Sequence, residues 1–155
     1  MADPATQVRV YVPATWDDLA ALWSDGSQQA RHGAFAVTAA LRDDDPSAED
    51  EEWEFQAFTQ AAAASLAMLT DSAVARRVVV SVDVPAEAVS EDSALAWAAV
   101  VLDEEVGVHA VVAVHVDGSE SIARIQAVLD GGPVDSLDDV ALEWYAPSEV
   151  AGLLT

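Results

Sequence analysis

Arg76 to Pro85 reads RRVVVSVDVP, and the reading of this stretch decides the fold class. Val78, Val80, Val82 and Val84 fall in one row and Val79, Ser81 and Asp83 in the other, the period of two that a β-strand imposes on its side chains. Pro85, which has no N–H to give to a ladder, closes the run. VRVYV near the N-terminus repeats the pattern, with Val8, Val10 and Val12 on one face and Arg9 and Tyr11 on the other, and Pro13 ends it.

Working outward from these strands, Thr15 with Asp18 three residues on forms a helix-capping signature. Trp16, Leu19, Ala20 and Trp23 then recur at helical spacing until Asp25 and Gly26. SQQARHG is a polar connection, and AFAVT is a short strand with Phe35 and Val37 on one side. From Glu51 the spacing predicts a long helix with Phe55, Phe58, Ala62, Leu66 and Leu69 on its apolar stripe, which leaves Trp53 nearly opposite and exposed. ALAWAAVVL and HAVVAVHVD read as two further strands, the first equally readable as helix. Gly118 and Ser119 open a helix carrying Ile122, Ile125 and Leu129, ended by Gly131 and Gly132. ALEWYA is a last strand and SEVAGLL a short terminal helix.

This order predicts an α/β chain in the broad sense (α+β), a single mixed β-sheet of about five to six strands covered by about three to four helices. Residues 1–7 read as a disordered extension and residues 8–155 as a single globular domain, with no repeat and no linker.

Composition sets the limits on function. The chain has 155 residues, 52% of them hydrophobic, enough for a substantial core. Six arginines face 28 acids, for a net charge of −22, and there is no lysine, asparagine or cysteine. That charge opposes phosphate, so direct nucleic-acid binding is excluded. Missing cysteine removes disulfides, thiolate catalysis and thiolate metal sites. No apolar run has the length of a membrane span and no leader precedes the first strand, so the expected location is cytoplasmic, with no membrane contact. There is no Walker lysine, Rossmann glycine fingerprint, G-x-S-x-G elbow, H-E-x-x-H or EF-hand loop, and the expectation is no cofactor and no metal.

RVYVPAT, FAVTAALR, AAASL, AVHVD and EWYA, taken in order, resemble an uncharacterised family of small acidic actinobacterial proteins known only as a domain of unknown function. The resemblance spans most of the chain and implies a bacterial, cytoplasmic protein. It implies no activity.

Four groups of residues remain as candidates. The stretch RDDDPSAEDEEWEFQAF holds eight carboxylates around one tryptophan, and Asp50, Glu51, Glu52, Trp53 and Glu54 within it form a candidate surface for a basic protein. The plainer reading is a solvated helix cap with Trp53 folded back onto the domain. His115 and Asp117, two apart on a strand with His109 upstream, could make an imidazole and its orienting carboxylate; equally, His115 is half-buried near the sheet end and Asp117 caps the next turn. Arg9 beside Tyr11, with Arg42, could clamp an anion or simply form an ion pair. Trp144 and Tyr145, on opposite sides of the last strand, read as packing groups, and Tyr145 reaches Tyr11 only if their strands pair.

The reading favoured by sequence is a non-enzymatic binding or regulatory protein that engages a basic protein through its acidic patch. Its rival is a small enzyme or ligand-binding domain with a site at His115, Asp117, Arg9 and Tyr11.

Overall fold

A computed structural model describes residues 7–92 and 97–155. Nine strands and five α-helices occur among them: β1 (Gln7–Ala14), α1 (Trp16–Asp25), β2 (Ser27–Gln28), β3 (Ala34–Phe35), α2 (Ala39–Asp44), α3 (Asp50–Met68), β4 (Val78–Pro85), β5 (Val89–Glu91), β6 (Ala99–Leu102), β7 (Val106–Gly107), β8 (Val111–Val116), α4 (Ile122–Leu129), β9 (Glu143–Tyr145) and α5 (Pro147–Leu153). Seven strands form one sheet in the order β5-β6-β3-β1-β4-β8-β9, while β2 and β7 form a separate ribbon. The chain is α+β, but with more strands and helices than predicted, and every strand pair described is antiparallel rather than mixed. The unpredicted strands, β2, β5 and β7, are two to three residues long, too short to show a period of two.

The predicted extension over residues 1–7 lies outside the described residues except for Gln7, which opens β1. Ala94 to Ala96 of the ALAWAAVVL stretch also lie outside them, and its later part is β6.

The alternation of β1 and β4 sorts the core. Val10, Val12, Val78, Val80, Val82 and Val84 join Val114 and Val116 on one face, under Leu19 and Leu22 of α1 and Val150 of α5. Tyr11 and Val79 face the other side, under Leu41 of α2 and Ala57, Ala61 and Ala62 of α3. Leu69, Ala75, Ile125 and Leu137 make a third cluster where α4 meets the end of α3. The Thr15–Asp18 box caps α1 as the sequence indicates, and Gly26 ends it in the left-handed region, at φ +83°.

α3 departs from its predicted orientation. Its buried residues are Ala57, Ala61, Ala62 and Ser65, and Phe55 is 69% exposed. Small side chains let the helix axis approach the sheet, and Ser65 fastens it there. Ser65 Oγ donates to the Ala14 carbonyl (2.8 Å) and accepts from the Val78 N–H (2.9 Å), satisfying the backbone at the ends of two neighbouring strands. Phe55 is thereby turned out of the core, while Phe58 lies at its edge, partly buried against the Tyr11 and Leu41 cluster.

Candidate functional site

That rotation opens a cleft of about 910 Å³ on the α3 face of the sheet, lined by residues of β1, β4, β8, β9, α3 and the segment 134–142. Its floor comes from the row of β1, β4 and β8 turned away from the main valine cluster: Arg9, Tyr11, Ser81, Ala113 and His115. The register sets Arg9 against Asp83 and Tyr11 against Ser81, with Ser81 against Ala113 and Val79 against His115 on the far side of β4. Phe55, Phe58 and Leu66 come from α3, and Val134, Leu142 and Trp144 from the opposite side.

His115 is half-buried and hydrogen-bonded through Nε2 to Ser81 Oγ at 3.0 Å. The Phe58 ring lies edge-on to it at 4.8 Å and also to Tyr11 at 6.0 Å, so three rings are packed in series. Burial, with the charge of Arg9 adding to it, lowers the His115 pKa to about 4, and the imidazole is neutral at neutral pH. Tyr11 is 7% exposed, and its phenol is raised above its ordinary pKa first by burial and then by the charge of Glu54.

Arg9 lies in the cleft with its guanidinium held by Asp83, Nε to Oδ1 at 2.6 Å and a second nitrogen to Oδ2 at 3.3 Å. This is the ion pair of the plainer reading. Arg42 is elsewhere, its guanidinium 5.7 Å from the centre of the Trp53 ring. The structure thus brings together three of the four residues of the rival constellation: Arg9, Tyr11 and His115.

Asp117 does not serve His115. Its carboxylate is fully buried and accepts from the Arg77 N–H (2.8 Å), Nε (2.9 Å) and terminal nitrogen (2.8 Å), forming an internal ion pair at the end of β8. His109 precedes β8 in a short 3-10 turn, away from the strand row in which the sequence placed it.

In the acidic stretch, Asp50, Glu51, Glu52 and Glu54 occupy the first turns of α3 and are exposed, where negative charge suits the positive end of the helix dipole. Trp53 is not the exposed anchor that the helical wheel suggests. It is partly buried against the Tyr11 and Leu41 cluster, and its Nε1 donates to the Asp45 carbonyl at 3.1 Å. Glu51 and Glu54, unlike Asp50 and Glu52, border the cleft.

Sequence reasoning missed Ser81 as a site residue and gave Phe55 and Phe58 to the core and Trp144 to packing. Trp144 is 61% exposed in the cleft, whereas Tyr145 packs against the valine face and is not paired with Tyr11. A serine in the central strand was the available signal, since a hydroxyl there needs a partner.

Among the described residues no group of three or more His, Asp or Glu side chains is placed to hold a metal ion, and no helix is long and apolar enough to cross a membrane.

Fold and cleft define a small α+β domain on an antiparallel sheet, with an aromatic-walled recess on one face. The chain belongs to the family of unknown function DUF6912, whose model matches residues 8–154. No curated protein and no solved structure gives a significant match.

Proposed function

We propose that this chain is a ligand-binding domain and that its ligand lies in the cleft between α3 and the 134–144 segment. One observation carries the reading: Phe55 and Trp144, 69% and 61% exposed, line the same recess of about 910 Å³. Large aromatic surface held open to water forfeits transfer free energy of ~25 cal/mol per Å², and a ligand that covers it recovers that term. The volume lies in the range of small-molecule sites, roughly 300 to 1,000 Å³, which combine apolar walls with a few convergent polar groups. Here those groups are Tyr11, Ser81 and His115. Phe58 holds the Tyr11 and His115 rings in place, and the Ser81 bond fixes the imidazole, so the floor is preorganised before a ligand arrives.

Ser81 beside His115 also resembles a hydroxyl with its general base. An imidazole with a pKa of about 4 is a weak base at neutral pH, which favours binding over catalysis as the use of this pair.

The test is a two-dimensional amide NMR screen of the full chain against a library of small aromatic and heterocyclic compounds. Shifts confined to residues around Phe58, Ser81, His115 and Trp144, and abolished in the Phe55→Ala/Trp144→Ala double variant, are expected. Hits clustering elsewhere, or none, would overturn the reading.

A second reading, capture of a basic protein surface, is supported by the exposure of Asp50, Glu51, Glu52 and Glu54. It is distinguished by Asp50→Asn/Glu52→Gln, which removes charge outside the cleft. Loss of a salt-sensitive partner in this variant, with compound binding intact, would assign that partner to the helix tip.

A further inference from the structure

The cleft also carries information about the charge of its ligand. Both arginines that reach it are engaged: Arg9 by Asp83, and Arg77 by Asp117 and the Val140 carbonyl. Among the described residues the ion pairs are Arg9–Asp83, Arg31–Asp18, Arg77–Asp117 and Arg124–Asp139. Glu51, Glu54 and Asp138 therefore border the cleft with no arginine against them among those residues. An anionic ligand would meet three uncompensated carboxylates, and the one guanidinium open to the cleft, that of Arg9, already has its charge paired with Asp83.

The interior is suited to the opposite charge. Tyr11, Phe55, Phe58 and Trp144 present ring surface, and the face of an aromatic ring attracts a cation. Tyr11 is 7% exposed overall, but no buried side-chain polar atom among the described residues lacks a partner, so its hydroxyl is open to the cleft and can accept from an N–H. The field of Glu54 reaches the floor: it adds to the rise of the Tyr11 phenol, after burial, and contributes to the rise of Arg9, after the larger effect of Asp83. His115 is uncharged at neutral pH and repels nothing.

We infer that the ligand of this cleft is an organic cation, an ammonium or guanidinium group on an apolar body, with its charge between Glu54 and Tyr11 and its body against Phe58, Phe55 and Trp144. The inference rests on the ligand-binding reading above. The same chemistry is available from a free amine or from an arginine or lysine side chain of a polypeptide.

Three compounds of one shape separate charge from size: phenethylammonium, 2-phenylethanol and phenylacetate, titrated into the full chain and followed by amide NMR. Phenethylammonium is expected to bind about two- to fivefold tighter than the alcohol, the gain of one partly exposed ion pair, and phenylacetate weakest. In Glu54→Gln, which removes an exposed charge, that ratio should fall toward one. Equal binding of all three in the cleft, or tighter binding of phenylacetate, would overturn the cation assignment and leave the ligand-binding reading standing. If none of them moves the cleft resonances, both fall together. Acetyl-Phe-Arg-amide, titrated in parallel, distinguishes the sources: affinity tenfold above phenethylammonium assigns the cation to a polypeptide, and weaker affinity to a free amine.

Discussion

Burial shapes the chemistry of this domain most directly at His115. A solvent-exposed imidazole titrates near 6.5, and here burial, reinforced by Arg9, takes the value to about 4. As pH falls through 6.5 the unfolded chain takes up a proton that the folded chain refuses until about 4. The stability due to the neutral ring is therefore complete above pH 6.5 and is lost on the way down to pH 4. Because the ring is only half-buried, the loss is expected to be about 1 to 3 kcal/mol rather than the full value of the shift. His115→Gln, which keeps a hydrogen-bonding group beside Ser81, removes the proton and should flatten this dependence. Urea unfolding of both proteins at about pH 7 and pH 4.5 checks it: the gap between them should shrink or reverse on acidification, and parallel losses would show that His115 does not titrate as described.

At the scale of the element, α3 separates what the sequence made legible from what it did not. The rows of β1 and β4 could be read because a period of two has one phase, and valine on one side against Arg9, Tyr11, Ser81 and Asp83 on the other leaves no ambiguity. α3 has apolar residues almost all round from Phe55 to Met68, so the size of a side chain, not its polarity, decides which stripe meets the sheet. Of the predicted stripe, Ala62 and Leu69 are buried and Phe58 and Leu66 half-buried, but Phe55 is out, and Ala57, Ala61 and Ser65 take the place against the sheet. The same ambiguity hid the site, since Phe58 and Leu66 pack at the edge of the core and line the cleft as well, and Phe55 belongs to the cleft alone. Asp117 was unreadable for another reason. Its partner Arg77 lies 40 residues away, and nothing local marks the pair. Two substitutions on α3 test the orientation. Ala61→Leu, fully buried against the sheet, should cost about 1 to 3 kcal/mol by overpacking. Phe55→Ala should stay within about 0.5 kcal/mol, despite the far larger volume removed, because little of that side chain is packed. Denaturant midpoints of the two variants would show the reverse order if the phenylalanine stripe were the one inside.

For the molecule as a whole, the governing quantity is a net charge of −22 on 155 residues. Four arginines pair with aspartates, and the remaining carboxylates repel one another across the surface. Like charges four residues apart on a helix cost about 0.2 to 0.5 kcal/mol per pair, and α3 places Asp50 and Glu54 at that spacing. Against this, the acids opening α3 gain from the helix dipole, about 0.3 to 1 kcal/mol each at low salt. Both terms are screened, with a Debye length that falls from about 30 Å at 0.01 M to about 8 Å at 0.15 M. The long-range repulsions are more numerous and span more than a helical turn, so they are lost first. Sodium chloride raised from about 0.02 to 0.3 M is therefore expected to stabilise the fold by about 1 to 2 kcal/mol, read as a rise in the urea midpoint at constant slope. A fall would mean that the helix-end and arginine interactions outweigh the repulsion. The same screening acts on the cleft with the opposite sign: as salt relieves the repulsion around Glu51, Glu54 and Asp138, it weakens their pull on a cation. Stability and phenethylammonium affinity should thus move in opposite directions along one salt titration, a signature that a purely apolar ligand site would not produce.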